Sequence, residues 1–468
     1  MKKALLSSVG FAVLGFPLAA AAQPASDFLC TTNGNAITIT CYLGPSGAVT
    51  IPSTINNLPV TSIGASAFLP QYDVNITSVS IPEGVTNIGA GAFSDCNYLT
   101  AVALPSSLLA IGALAFAGSG LTNVTLPGGL VTIGPYAFEY CTALTSITIP
   151  RSVTTIGGAA FAGCADLPAI DVDPANASFT SLDGVLFDRA QSTLYQWPAA
   201  KSGSYTVPGT VTEILVRAFL GASGLTAVTM LDGVATVGDE AFCYCVNLTN
   251  VSFSSTVTDI GLSQFRYCSN LTAIAVDPRN PCYSSRDGVL FDRAQATLIE
   301  CPGGRSGSYV VPPGVTTIGR GADEGFYGCA GLAYVTIPAS VTNIALGSFA
   351  NCFAKPCILF LGEPPAFQGG YINTVYYVPG APGWGTSFAG APVVLWNPIS
   401  QAPSVWNDQF GFEIIGAPNL PFVLEASTNL VGGNWIPLQT ATLTNGLLHV
   451  HDPAWTNYPA RFYRLRWP

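Results

Sequence analysis

The stretch Leu121-Thr122-Asn123-Val124-Thr125-Leu126-Pro127-Gly128-Gly129-Leu130-Val131-Thr132-Ile133-Gly134-Pro135-Tyr136-Ala137-Phe138 decides the fold. Its first six residues set apolar side chains between polar ones and are enriched in β-branched types, which reads as a short strand. Pro127 cannot donate to a ladder and ends that strand. Residues 130–133 read as a second extended piece, and Gly134 turns the chain. Ala137-Phe138 then falls in a turn or a half-turn of helix. One such unit cannot bury Leu121, Val124, Leu126, Ile133 and Phe138 by itself. Stacked copies about 4.8 Å apart can, because each residue then lies on its own counterpart above and below.

The copies are present. The unit (I/L)-P-x-x-V-T-x-I-G-x-x-A-F-x-x-C-x-x-L-T-x-V begins at Ile81, Leu104, Leu126 and Ile149, at steps of 23, 22 and 23 residues. It returns at Val207, Val311 and Ile337. Its phenylalanine recurs as Phe68, Phe93, Phe116, Phe138, Phe161, Phe219, Phe242, Phe265, Phe326 and Phe349. That pattern predicts a mainly β architecture: a β-solenoid of about ten coils of about 23 residues over 48–357. A β-hairpin over 23–47 is expected to cap its start.

Two interruptions keep the frame. The intervals Ile156 to Ile214 and Ile260 to Ile318 are both 58 residues, one repeat plus 35. Asp183-Gly184-Val185-Leu186-Phe187-Asp188-Arg189-Ala190-Gln191 recurs 104 residues later at Asp287 to Gln295. Asp-Gly before an apolar run, then Thr193-Leu194-Tyr195, predicts an inserted β-hairpin in each copy, over about 171–205 and 275–309. Both are expected to project from the solenoid.

Composition narrows the function. Charged residues are only 9% of the chain, and the net charge is −10, so no electrostatic footprint for nucleic acid exists. Lys2 and Lys3, the apolar stretch 4–18 and Ala20-Ala21-Ala22 read as a secretory signal peptide over 1–22. No second apolar span follows, so no transmembrane segment is expected in the mature chain.

The unit, with its I-P, V-T-x-I-G, A-F and C-x-x-L-T elements, resembles the BspA-like leucine-rich repeats of bacterial surface proteins. The Asp-Gly-Val-Leu-Phe-Asp element, followed by Tyr205-Thr206-Val207-Pro208, is also similar to an element of those arrays. The resemblance covers roughly residues 48–360. It implies a leucine-rich-repeat β-solenoid, secreted or held at the cell surface, that binds an extracellular protein or cell-surface ligand. It implies no enzyme and no cofactor, and it carries no fixed ligand-contact residues.

Seven of the 13 cysteines follow a repeat phenylalanine by three residues: Cys96, Cys141, Cys164, Cys245, Cys268, Cys329 and Cys352. A thiol at a repeated position reads as a small buried residue. No His or carboxylate recurs beside it as a metal ladder would need. Stacked thiols can also oxidise to each other, and the sequence leaves their redox state open. Cys30 and Cys41 flank Asn33-Gly34, and Cys282 and Cys301 flank the second hairpin. Both are candidate disulfides in a secreted chain; the first hairpin has Ser178 and Trp197 at the latter two places, so those cysteines are lost together. Cys243 and Cys357 remain, the latter a candidate partner of Cys352.

Beyond about 357 the repeat fades. Residues 358–361 read as a closing strand, and 358–398, rich in Gly, Pro and aromatics, as a cap over the open end. Residues 399–404 read as a linker, and 404–468 as a small β-sandwich-like module turning at Asn445-Gly446. That module resembles the C-terminal modules of secreted verrucomicrobial proteins.

The chain has two histidines, His449 and His451, on one face of a strand but without a third ligand. Asp171, Asp173, Asp183 and Asp188 lack the spacing of a calcium loop and read as turn residues. No catalytic, cofactor or metal site is therefore expected. The candidate binding face is a ladder of Thr100, Thr122, Thr145, Thr226, Thr249 and Thr272, one per repeat. The strand preference of β-branched threonine is the simplest account of that row; a broad adhesive face for an extended protein or glycan is the functional one. The alternative is glycan binding through Trp384, Trp396, Trp435, Trp455 and Trp467 in the C-terminal third.

Overall fold

A computed structural model describes residues 22–69, 75–321, 324–367, 369, 372–406, 409–431 and 433–468. The expected signal peptide lies, except for Ala22, outside the described residues. Two compact units are formed, one of Met1–Ala160 with Val172–Ala177, the other of Phe161–Asp171 with Ser178–Pro468.

In the first unit, Phe28–Asn33 and Ala36–Tyr42 form an antiparallel hairpin. Ala36–Tyr42 is also the first rung of a parallel ladder. Leu58–Ile63, Asn87–Ile88, Ala110–Ile111, Thr132–Ile133 and Thr155–Ile156 follow it. The register sets Ile39, Ile63, Ile88, Ile111, Ile133 and Ile156 on one line. All six are buried. Each contributes about 1.5–3 kcal/mol by leaving water, and only stacking makes that burial available. The aromatic line runs beside it: Tyr42 on Phe68, Phe68 on Phe93, Phe93 on Phe116 and Phe116 on Phe138, with centroids 5.3, 4.6, 5.2 and 5.3 Å apart.

A second ladder of Gly47–Thr50, Ile76–Ser80 and Ala101–Ala103 stops there. The quoted stretch 121–126 is not a strand, contrary to its alternation. Only five residues separate Phe116 from Leu121, where six separate Phe93 from Leu99. The shortened turn pulls that edge away: the Thr122 N–H to Thr100 carbonyl bond stretches to 3.3 Å, against 3.0 Å for Thr145 to Thr122.

The second unit repeats the plan twice. Phe179–Leu182, Val185–Asp188 and Thr193–Gln196 form an antiparallel meander. Thr193–Gln196 then leads a parallel ladder through Glu213–Ile214, Thr236–Val237 and Asp259–Ile260. Tyr283–Arg286, Val289–Asp292 and Thr297–Glu300 lead the same ladder through Thr317–Ile318, Asn343–Ile344 and Ala366–Phe367. Asp183 and Gly184 both take left-handed φ, of 51° and 80°, as the two-residue turn requires. The hairpins do not project from the solenoid, contrary to the sequence expectation. Val185, Phe187, Val289 and Phe291 are fully buried, and the last strand of each meander is itself a rung.

The described residues therefore make about fourteen turns, not ten. Counting by phenylalanine missed the turns where Tyr42, Trp197 and Cys301 hold the aromatic position, and the one led by Ala366–Phe367.

The fading repeat misplaced the end. Cys357–Phe360 does not close the array. Val375–Tyr377 and Ala391–Leu395 pair onto it in parallel, since a ladder needs extended backbone and not particular letters. Residues 399–404 are not a linker either, because Ile399–Trp406 is a strand paired with Gln409–Ile415. The rest forms two three-stranded antiparallel sheets. Their shared core of Phe412, Phe422, Leu424 and Trp467 also packs on Leu359 and Tyr376 of the last coils.

Candidate functional site

The six threonines of the expected binding face are all exposed. Within the first unit the Thr100 hydroxyl donates to the Thr77 carbonyl at 3.2 Å, Thr122 to Thr100 at 3.4 Å and Thr145 to Thr122 at 3.1 Å. Within the second, Thr249 donates to Thr226 at 2.9 Å and Thr272 to Thr249 at 3.1 Å. The Thr226 carbonyl takes both the N–H and the hydroxyl of Thr249. These hydroxyl protons are therefore spent on the coil below. The face shows methyl groups and lone pairs, and it can accept hydrogen bonds better than donate them.

The cysteine ladder has a similar logic. Cys96 donates to the Phe68 carbonyl at 3.1 Å, Cys141 to Phe116 at 3.1 Å, Cys245 to Phe219 at 3.1 Å and Cys268 to Phe242 at 3.0 Å. A thiol is small enough for the core and still supplies a weak donor to a buried turn carbonyl. Reading it as merely apolar missed that donor. Burial pushes the Cys141 thiol up to about 11 and the Cys96 and Cys352 thiols up to about 12, so they stay protonated.

Neither expected disulfide is formed; all thirteen cysteines are free. A bulge after Leu29 sets Cys30 opposite Ile39 and Cys41 opposite Leu29, so the two are not cross-strand partners. Cys301 is a core residue beside Phe326 and Cys329, whereas Cys282 packs on the separate cluster around Phe265.

The C-terminal tryptophans are largely structural. Trp384 donates to the Gly362 carbonyl at 3.0 Å and Trp396 to the Pro421 carbonyl at 3.0 Å. Trp467 is buried beside Tyr334, Tyr376 and Trp396. Trp435 lies under the Arg464 guanidinium at 4.4 Å, and Trp455 sits 5.9 Å from the Phe410 ring. His449 reaches Glu413 at 3.5 Å, and no cluster of three metal-ligating side chains occurs among the described residues.

A buried acidic group was not anticipated. Glu300 and Glu324 are both buried, and Arg320 pairs with Glu324 at 3.0 Å. Burial, then the neighbouring Glu324 carboxylate, hold the Glu300 carboxyl well above its usual range. The signal lay in the spacing: Ile318 to Phe326 is eight residues, where Ile344 to Phe349 is five.

A tyrosine cluster running from the exposed Tyr244 to the buried Tyr327 was also missed. Tyr244 stacks on Tyr267 at 4.5 Å, and Tyr327 meets Tyr267 edge-on at 5.7 Å. Arg266 lies over Tyr267 and Tyr327 at 5.1 and 5.5 Å. Its Nε donates to the Tyr327 hydroxyl at 3.0 Å.

The BspA type leucine-rich repeat region matches in six copies, over residues 61–193, 195–286 and 306–360. The chain belongs to this family. BspA-type repeat proteins are bacterial cell-surface proteins, and among the described residues no helix of this member is long and apolar enough to cross a membrane. Similar solved structures include a leucine-rich cell surface protein of Faecalibacterium prausnitzii, 27% identical, with TM-score 0.43 over 74% of this chain and 96% of that one. A leucine-rich repeat protein of Eubacterium ventriosum is 21% identical, with TM-score 0.46 over 78% and 89%. The pneumococcal vaccine antigen PcpA is 20% identical, with TM-score 0.41 over 75% and 85%. No curated protein sequence matches this BspA-type chain.

Proposed function

We propose that this chain is a secreted, non-catalytic surface protein that holds an extracellular protein partner along the exposed face of its coils. The observation that carries this reading is the repetition, within each unit, of an uncharged, accepting threonine row through successive coils. Such a row offers an extended partner many equivalent contacts and no deep pocket. The carboxylate pair Glu300 and Glu324 is buried and so gives no support to hydrolysis.

The test is capture of immobilised extracellular matrix proteins by the purified full chain. Ending it near Asn397 would strip the cover from Leu359 and Tyr376, so point variants are the cleaner tool. Thr100→Lys with Thr249→Lys places two charges on the row. Loss of capture with an unchanged melting temperature supports the reading. Undiminished capture moves recognition off this face.

A further inference from the structure

We infer that Gln23 is a modification site: once the leader is removed, its amine and its side-chain carboxamide close to a pyroglutamyl lactam that caps the first rung of the second ladder. This rests on the reading of the chain as secreted and cleaved after Ala22, which the mass measurement below distinguishes from the closure itself.

The rung is Gly47–Thr50, which among the described residues has a strand, Ile76–Ser80, on one side only. The Gly47 N–H donates to the Asn75 carbonyl and the Ile51 N–H to the Ser80 carbonyl, so residues 47 and 51 turn toward that strand. Backbone groups alternate in direction along a strand, so Ala48 and Thr50 present theirs to the open side. A bare edge of that kind is a template for another chain. Gln23 occupies it. Its N–H donates to the Thr50 carbonyl at 3.0 Å. Its Oε1 accepts the Thr50 N–H at 2.5 Å, and its Nε2 donates to the Ala48 carbonyl at 2.9 Å. One half-buried residue thus does the work of a neighbouring strand. It is anchored from behind: the Pro24 carbonyl accepts the Asp27 N–H at 3.0 Å, and the Asp27 carbonyl accepts the Leu43 N–H at 2.7 Å. Ala22 is exposed, so losing it costs no core packing.

The three contacts match the three parts of one reaction. The Thr50 carbonyl holds the nitrogen that attacks. The Thr50 N–H polarises the carboxamide carbonyl that is attacked, as an oxyanion-hole donor does. The Ala48 carbonyl holds the nitrogen that leaves. Both reacting ends are gathered at the two backbone groups of one residue, which replaces a chance encounter by positioning. The amine attacks in its neutral form, which an ordinary α-amino group reaches just above neutral pH. Its nitrogen bonds to Cδ, the Cδ–Nε2 bond breaks, and one amine proton departs with Nε2 as ammonia. No oxidant, reductant or co-reactant is required.

The product suits the edge. In the five-membered lactam the N–H and the C=O are cis and point the same way. The N–H and C=O of Thr50 do so too, since both meet Gln23. The lactam therefore keeps both Thr50 bonds and gives up only the one to Ala48. It also puts a neutral amide, in place of an ammonium, against a strand of uncharged residues.

The full chain, expressed with its leader in a bacterium that secretes it, is weighed intact and as its chymotryptic N-terminal peptide, which ends at Phe28. A start at residue 23, lighter than the sequence by about 17 Da, the mass of one ammonia, is expected. A start at Gln23 with the carboxamide intact overturns the proposal and leaves the secreted reading standing. A start elsewhere, or a retained leader, overturns the cleavage and the proposal together. Amide exchange at Thr50 tests the cap. It is expected to be about fivefold faster in Gln23→Ala, where the Thr50 N–H has lost its acceptor, than in the cyclised chain. Equal exchange in the two would show that the lactam is not seated on the edge and would overturn the proposal.

Discussion

Glu300 stands in the second meander where Gln196 stands in the first, 104 residues earlier. The Gln196 amide donates to the Ala218 carbonyl at 2.9 Å. A carboxylic acid can imitate that amide only while it keeps its proton, and Glu300 sits in a site that favours the proton. Its folded-state pKa is raised above the unfolded value, by burial and then by Glu324. The unfolded chain gives up this proton first. Stability is therefore lost as pH rises from the ordinary carboxyl range toward the raised folded value. Glu300→Gln is expected to remove that slope and to stabilise at neutral pH by about 1–3 kcal/mol. Urea melts of both forms between pH 4 and 8 check this; parallel curves would refute it.

Glu425 carries the opposite sign. Burial pushes its carboxyl up, but hydrogen bonds and charge from Arg466 and Arg464 outweigh that and hold it below its usual value. Its stability is present above the unfolded pKa and is lost as pH falls through the folded one. The C-terminal sheets should open first in acid. Trp467 fluorescence followed from pH 6 down to 2 should change early in the parent chain. In Glu425→Gln the change should depend less on pH.

Cys141 tests the donor role of the ladder thiol. Its Sγ donates to the Phe116 carbonyl, and the equivalent residue one coil earlier is the buried Ser119, 3.3 Å from that sulfur. Cys141→Ser keeps a donor, whereas Cys141→Ala leaves the carbonyl alone. The alanine variant is expected to be less stable than the serine variant by about 0.5–1.5 kcal/mol. Thiol titration of the native chain at pH 8 should modify at most the half-exposed Cys30, Cys41, Cys282 and Cys357. Unfolding should release all thirteen.

Thr249→Val keeps the branched shape and deletes the hydroxyl. The Thr226 carbonyl retains the backbone N–H of residue 249, so the cost should be only about 0.5 kcal/mol. Phe242→Ala in the same coil empties a fully buried ring site and should cost about 3–5 kcal/mol. Thermal melts of the two variants give the comparison. Similar losses would mean that the threonine row, not the aromatic line, carries the coil.

The family, the coil and the 104-residue copy were legible because each repeats, and repetition makes register readable in one dimension. Departures from the repeat were not. Tyr42, Trp197 and Cys301 fill the aromatic line with other letters, so their coils were read as a cap and as insertions. Ile358 onward lost the letters but kept the backbone bonds. The six threonines are exposed, as their alternation implies, yet hydroxyls in the row are engaged, because alternation says where a side chain points and not what it touches. Tyr244 was passed over because left-handed backbone at a non-glycine residue leaves no mark on one repeat.

Leu194 and Leu298 each open a run of four rungs on the same hydrogen-bonding edge. A recombination event joining those two points would delete or add 104 residues and leave every remaining rung in phase. Each such block is worth about 19 Å of reach at strand spacing. The length of the array can thus change in whole steps, by exchange between its two copied blocks, with no intermediate that has to solve a new folding problem.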